Sequence, residues 1–445
     1  MTPTTRLGSV YASLSKGDFA DPANFTESLS KVNGLNFAWY DGGYAKSGIG
    51  GFFNMTGDDR SIYSALAGYS YHLWLNQTDQ SSLRSAATAL ATAARQHHLL
   101  YPLILANSSK SVPGYYDVEL SFAYDILYNW MNVTERNNTR NFIAYLTKGK
   151  TLPSCSVGNS VIGHPQTLLY SAWFAMVLSI EGETGYDNSS VINNCLCIKD
   201  FLQYSGIRSD GSVISDYGYI YHTDAGFPGL LALSRANICG NLFDPSVTNL
   251  AQIIHFTSYS LVGWGNYYSV NLDQWAIYTP KFPFMTYYYI MKYLFPEDEL
   301  INYVVSQTVV KNSIQWGNLF AAIVATAPNS SLTYENVAKS RNVPLAKVFQ
   351  TRGQAVIYSD FSAEGMKLDF ECRYDHYRDN NLFSSRNHFQ LSAKGFNWFG
   401  KSHSFINDHH STIYIDGVPQ ANGLQDFALG KGTIKYIHSN NNLLP

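Results

Sequence analysis

Tyr334-Glu-Asn-Val-Ala-Lys-Ser340 and Gln354-Ala-Val-Ile-Tyr-Ser359 stand close together in the chain, and their apolar residues recur differently. In the first, Tyr334, Val337 and Ala338 fall on one face of a helix. The second opens a series of short strand-like segments, in most of which apolar and polar positions alternate as in a half-buried strand. The change of period near residue 345 divides the chain into a helical stretch, 1–345, and a strand-rich stretch, 346–445.

Working back from that junction, helical patterns cover Ile62–Leu73, Ser81–His98, Tyr116–Met131, Glu135–Leu146, Thr167–Ile180 and Val191–Tyr204. They continue through Ala225–Ala236, Pro245–Leu261, Phe284–Tyr293 and Asp298–Val310. Arg95, His97 and His98 are expected to close the second of these, since cations suit a helix C-terminus. Gly, Pro, Asn and Ser fill the connections. So many paired helices predict an incomplete α/α toroid rather than a bundle. Working forward, Met366–Arg373, His388–Ala393, Ser411–Ile415 and Thr433–Ile437 repeat the strand alternation. They predict an antiparallel β-sandwich, incomplete at residue 445.

Composition narrows the function. The 445 residues carry a net charge of −3, so no global field draws nucleic acid or anionic membrane. No apolar run approaches the roughly 20 residues of a membrane span. Charged residues are 14% of the chain, against about 25% in an average globular protein. In their place stand 33 Tyr, 25 Phe and 8 Trp among many Asn, Ser and Thr. Rings and neutral hydrogen-bonding groups suit sugars, and they equally suit an ordinary secreted protein.

Asn-X-Ser/Thr sequons fall at Asn24, Asn54, Asn76, Asn107, Asn132, Asn137, Asn188 and Asn329, as N-glycan acceptors would. Of the five cysteines, disulfides are expected among Cys155, Cys195 or Cys197, and Cys239. Cys195-Leu-Cys197 is too tight for a zinc knuckle. These features predict a secreted or lumenal protein. Met1-Thr-Pro-Thr-Thr-Arg-Leu7 shows no apolar signal segment, and the chain reads as a fragment of a longer secreted protein.

Three segments bear chemistry. Gly158-Asn-Ser-Val-Ile-Gly-His-Pro-Gln-Thr-Leu-Leu169 is a polar loop leading into a helix. Asp210-Gly-Ser-Val-Ile-Ser-Asp-Tyr-Gly-Tyr-Ile-Tyr-His-Thr-Asp224 carries three tyrosines. The third runs from Arg373-Tyr-Asp-His-Tyr-Arg378 through Arg386-Asn-His388 to Asp408-His-His-Ser-Thr-Ile-Tyr-Ile-Asp-Gly417.

Helices followed by strands, with these segments in this order, resemble the heparinase II/III-like polysaccharide lyases over roughly residues 30–420. The resemblance implies a toroid-plus-sandwich enzyme acting on an anionic, uronate-containing polysaccharide. It gives the first catalytic role to Asn159 or His164, and the second to Tyr219, with Tyr217 and Tyr221 beside it. A β-domain histidine follows, His376 or His388, and His410 opens the closing strand. Arg378 and Arg386 are implied substrate contacts, and Trp39 and Tyr40 candidate sugar platforms, as are Trp264 and Trp275. Two departures stand out: Arg386-Asn-His388 holds one histidine where the family pairs two, and Ser411 replaces an Asn. No well-spaced Asp follows His388, so no metal or other cofactor is expected.

The reaction explains the residue types. β-Elimination removes the C5 proton of a uronide, which is acidic once the neighbouring carboxylate is neutralised. An Asn amide or a His can hydrogen-bond that carboxylate as charge develops on it. A tyrosine can serve as base and acid, given a cation such as Arg208, Arg373, Arg378 or Arg386 to lower its pKa from about 10. A histidine can take a C5 proton on the opposite face. Structural roles compete throughout: Asn159 and His164 also suit helix capping, the tyrosines packing, and His409-His410 a polar surface. The rival readings are a uronyl C5-epimerase and a non-catalytic secreted glycan-binding protein.

Overall fold

The computed structural model describes residues 80–106, 118–147, 171–183, 195–213, 226–259, 285–309, 332–371, 388–399, 437–439 and 442–444, with single positions such as Leu261 between them. Helices occupy the stretch before residue 341 and antiparallel strands the stretch after 345. The helices are α1 (Gln80–Ala106), α2 (Val118–Leu127), α3 (Val133–Thr147), α4 (Ala172–Ile180) and α5 (Cys195–Asp200). They continue with α6 (Phe227–Arg235), α7 (Ile253–Ser258), α8 (Met285–Leu294), α9 (Glu299–Val309) and α10 (Tyr334–Ser340). Packing proceeds along the chain: α1 against α3, α2 and α3 against α4, α4 against α6, then α6–α8, α8–α9 and α9–α10.

Local chemistry sets several boundaries. Asn132 and Glu135 form a reciprocal cap at the start of α3, with bonds of 2.9 and 2.8 Å. Glu135 also takes both arms of Arg84, at 2.7 and 2.9 Å, which fastens α3 to α1. Thr333 caps α10 by accepting from the Asn336 N–H at 3.2 Å. Asp298 caps α9 through the N–H groups of Leu300 and Ile301.

Two helical expectations are corrected. The predicted end at His98 is passed: α1 runs on to Ala106, so Arg95, His97 and His98 lie within it. His97 is buried, and burial lowers its pKa to about 4, so it packs as a neutral ring against Phe142 rather than as a terminal cation. The predicted helix from Pro245 begins later. Turns bonded through Asp244, Ser246 and Thr248 hold that stretch, and a short 3₁₀ turn, Leu250–Gln252, leads into α7.

Much of the aromatic content builds the core. Tyr124, Tyr287, Tyr288, Tyr334, Phe142, Phe174, Phe227, Phe243 and Phe256 are among the largest fully buried side chains. The tyrosines bring a hydroxyl that completes backbone bonding near helix ends. Tyr287 donates to Leu250 O at 3.1 Å, Tyr334 to Ser258 O at 2.8 Å, and Tyr358 to Leu261 O at 2.7 Å. Burial pushes the pKa of each upward.

The strands are β1 (Ala346–Phe349), β2 (Gln354–Tyr358), β3 (Met366–Glu371), β4 (His388–Ala393) and β5 (Phe396–Phe399), an antiparallel meander in sequence order. A separate hairpin pairs β6 (Ile437–Ser439) with β7 (Asn442–Leu444). Of the predicted strands, Ser411–Ile415 lies outside the described residues, as does Thr433–Ile437 except for Ile437.

The register sorts the meander into two faces. One carries Ala346, Val348, Ala355 and Ile357 from β1 and β2, then Met366, Leu368, Phe370, Phe389, Leu391 and Ala393 from β3 and β4. Phe396 of β5 continues it opposite Ala393, and Trp398 stands beside it at a bulge in the β4–β5 ladder. Every one of these is apolar, yet Met366 is 50% exposed, Phe396 69% and Trp398 61%. The opposite face turns toward the helices. At β1–β2 it carries Phe349, Val356 and Tyr358 beside Lys347 and Gln354, and at β3–β4 it is polar.

Candidate functional site

The second chemistry-bearing segment begins in a tight turn at the junction of helices and sheet. Asp210 Oδ1 accepts from the Ser212 N–H at 3.0 Å and the Ser212 hydroxyl at 2.6 Å. Arg208 and Ser212 close the turn across the chain, and Ile207 bridges to Val213. Gly211 has φ +81°, and a Cβ there would stand 2.0 Å from Gln252 O. Only glycine fits this backbone against the approach of the Leu250–Gln252 turn. Asn249 holds the turn from below, donating to Gln203 O at 2.7 Å and Ile207 O at 3.1 Å.

The sheet grips the same turn. Thr351, in the β1–β2 connection, donates to Asp210 Oδ2 at 2.8 Å. Its neighbour Arg352 is buried and donates to Val213 O at 2.5 Å, with its guanidinium 5.4 Å from the Phe256 ring centre. The segment that carries Tyr217, Tyr219 and Tyr221 therefore starts from a point fixed to both the helices and the sheet.

A second polar group lines the helix-facing side of β2–β4. Gln354 Nε2 spans both oxygens of Asp369, at 2.9 and 3.0 Å. Lys367 Nζ lies 3.9 Å from Asp369 Oδ2 and 5.8 Å from the Tyr358 ring centre. Gln390 pairs in register with Asp369 and Ser392 with Lys367, and all five side chains are buried. Burial lowers the Lys367 pKa to about 8, against the opposing pull of Asp369. Uncharged Lys367 is thus accessible near neutral pH in a way a surface lysine is not. His388 opens β4, paired with Glu371.

Of the catalytic and substrate-contact residues implied from sequence, only the backbone of His388 falls within this description. Trp39, Tyr40, Asn159, His164, Tyr217, Tyr219, Tyr221, His376, Arg378, Arg386 and His410 lie outside the described residues, as do Trp264 and Trp275. Arg208, one candidate cation, donates to Tyr204 O at 3.0 Å. Thr351, Arg352, Gln354, Lys367 and Asp369 were not anticipated. For Lys367 and Asp369 the signal was polar residues at alternate strand positions, and alternation does not tell which side of a sheet meets the rest of the molecule; Thr351 and Arg352, in a turn, carried no signal. Among the described residues no group of His, Cys, Asp and Glu is arranged to hold a metal ion, and no helix is long and apolar enough to cross a membrane.

Two sequons are described. Asn132 is exposed at the start of α3, whereas Asn137 sits inside α3, half-buried, accepting from Arg140 at 2.7 Å. Cys239 is disulfide-bonded.

No known family profile matches the sequence, and no curated protein sequence matches it. Among solved structures the chain is similar to the heparan sulfate lyase HepC from Pedobacter heparinus, with 14% identity over 86% of this chain and 56% of that one, at a TM-score of 0.44. It is similar to a heparinase III gene product at 11% identity, over 81% of this chain and 56% of that one, with a TM-score of 0.42. A heparinase III crystal structure matches at 10% identity, over 87% and 58% of the two chains, also at 0.42. The chain thus spans little more than half the length of the structures it matches.

Proposed function

We propose that this chain is a polysaccharide lyase that cleaves a uronic-acid-containing polymer by β-elimination. The observation that carries the reading is the double attachment of the Asp210–Val213 turn. It starts the tyrosine-bearing segment at the junction of helices and sheet, where residues from both can converge on one sugar. In this reading residues 1–345 form an incomplete α/α toroid and residues 346–445 contribute to a β-sandwich whose inner side is the apolar face of the meander.

Asn159 or His164 hydrogen-bonds the uronate carboxylate and stabilises the charge that develops on it. Tyr219, or His376 or His388 where the proton lies on the other face, removes the C5 proton. The electron pair of the C5–H bond becomes the C4–C5 double bond as the C4–O4 bond breaks, and the departing oxygen takes a proton from the tyrosine. Tyr217, Tyr221, Arg378, Arg386, His410, Trp39 and Tyr40 bind the polymer. The Cys239 disulfide supports an oxidising, extracellular or lumenal setting. Of the described sequons, Asn132 is the better glycan acceptor, since it is exposed and Asn137 is half-buried inside α3.

The test is incubation with alginate, glucuronan, hyaluronan, chondroitin, dermatan and heparan sulfates, following the ultraviolet absorbance of the unsaturated uronate. Growth of that absorbance on one polymer supports the lyase. Inverted C5 configuration without it identifies an epimerase, and binding with neither identifies a glycan-binding protein.

A further inference from the structure

We propose that the β1–β2 connection is a positioning element for the tyrosine segment, with Thr351 acting through Asp210 and Arg352 through the Val213 carbonyl. The inference rests on the lyase reading and adds residues that make no contact with the sugar in it.

The geometry is that of a clasp. Asp210 spends one carboxylate oxygen inside its own turn, on the N–H and hydroxyl of Ser212, and the other on Thr351 across 141 residues of sequence. Ser212 is fully buried and Val213 nearly so. Arg352, also buried, takes the Val213 carbonyl, six residues before Tyr219 in the chain. Gly211, at positive φ and with no room for a Cβ beside Gln252 O, lets the turn close against its neighbour. Loosening this point lets the following residues wander while leaving the packed helices in place. A misplacement of about 1 Å far from the reacting atoms is enough to slow an enzyme by up to about 100-fold.

The experiment compares the parent chain with Thr351→Val, which keeps the shape and removes the donor, and Thr351→Ser, which restores the hydroxyl. Tyr259→Phe is the control: it removes a hydrogen bond to Pro344 O at the same junction without touching the clasp. Two quantities are read, elimination kinetics on the cleaved polymer and hydrogen exchange of backbone amides in residues 214–224. Thr351→Val is expected to lower kcat about 10–100-fold, with KM nearly unchanged and exchange in 214–224 accelerated. Thr351→Ser and Tyr259→Phe keep the parental values. Parental kcat in Thr351→Val, unchanged exchange in 214–224, or an equal loss in Thr351→Ser or Tyr259→Phe overturns the proposal. A parent chain that forms no unsaturated product from any polymer overturns the lyase reading instead, and the exchange comparison alone then decides whether the clasp orders the segment.

Discussion

Phe349, the last residue of β1, meets Phe256 of α7 edge to face, with ring centres 4.9 Å apart and planes at 90°. Tyr259 also meets this ring edge to face, at 5.7 Å. Phe349 is fully buried, so the sheet is pinned to the helices by an aromatic ring that no solvent reaches.

Phe349→Ala should therefore destabilise the chain by about 3–5 kcal/mol, the range for emptying a buried phenylalanine site. The check is the midpoint of urea unfolding. A loss below about 1 kcal/mol would mean that the two units are not joined through this ring.

Gly211→Ala places a methyl group on a backbone with positive φ and into the Gln252 carbonyl. Conformational strain alone costs about 1–3 kcal/mol, before any clash. Thermal unfolding of Gly211→Ala should show a clear loss, and a neutral or stabilised variant would contradict the turn as described.

His97 makes stability depend on acid. Its folded pKa of about 4 lies below the ordinary 6.5, so between those values the unfolded chain binds more protons than the folded one. Stability is then fully present above about pH 6.5 and falls as pH drops toward 4, by up to about 3 kcal/mol. His97→Gln, which cannot charge, should flatten that slope in a series of urea titrations across pH.

On the cleaved polymer, Tyr219→Phe should reduce kcat by about 10²–10⁴-fold, as removal of a general acid–base group does. Asn159→Ala and His164→Ala should separate the two candidates for the carboxylate partner, with only the true one losing kcat on this scale. Full turnover in Tyr219→Phe would remove the tyrosine from the mechanism.

The change of architecture near residue 345 was legible because helix and strand impose different periods on the same apolar residues. Helix α10, Tyr334–Ser340, and strand β4, His388–Ala393, follow from that signal directly. What escaped was anything decided by contacts distant in sequence. His97 reads as a helix-end cation until Phe142 and the burial around it are known. Thr351 is an ordinary turn residue until Asp210 is seen beside it. β1 and β5, four residues each, are too short to show a period at all. The Asp210-Gly-Ser motif was visible, but its clasp to the sheet was not, because nothing in either segment names its partner.

The meander places its wholly apolar face away from the helices, ending in Phe396 and Trp398 on β5, the last strand in its order. Such a face governs solubility. With a net charge of only −3 on the chain, little electrostatic repulsion keeps two such surfaces apart. Residues 346–399 expressed alone would present an edge strand and an apolar sheet together, the combination that drives strand-to-strand aggregation. Shortening the chain after β5 would be felt in the test tube as precipitation before any effect on catalysis could be measured.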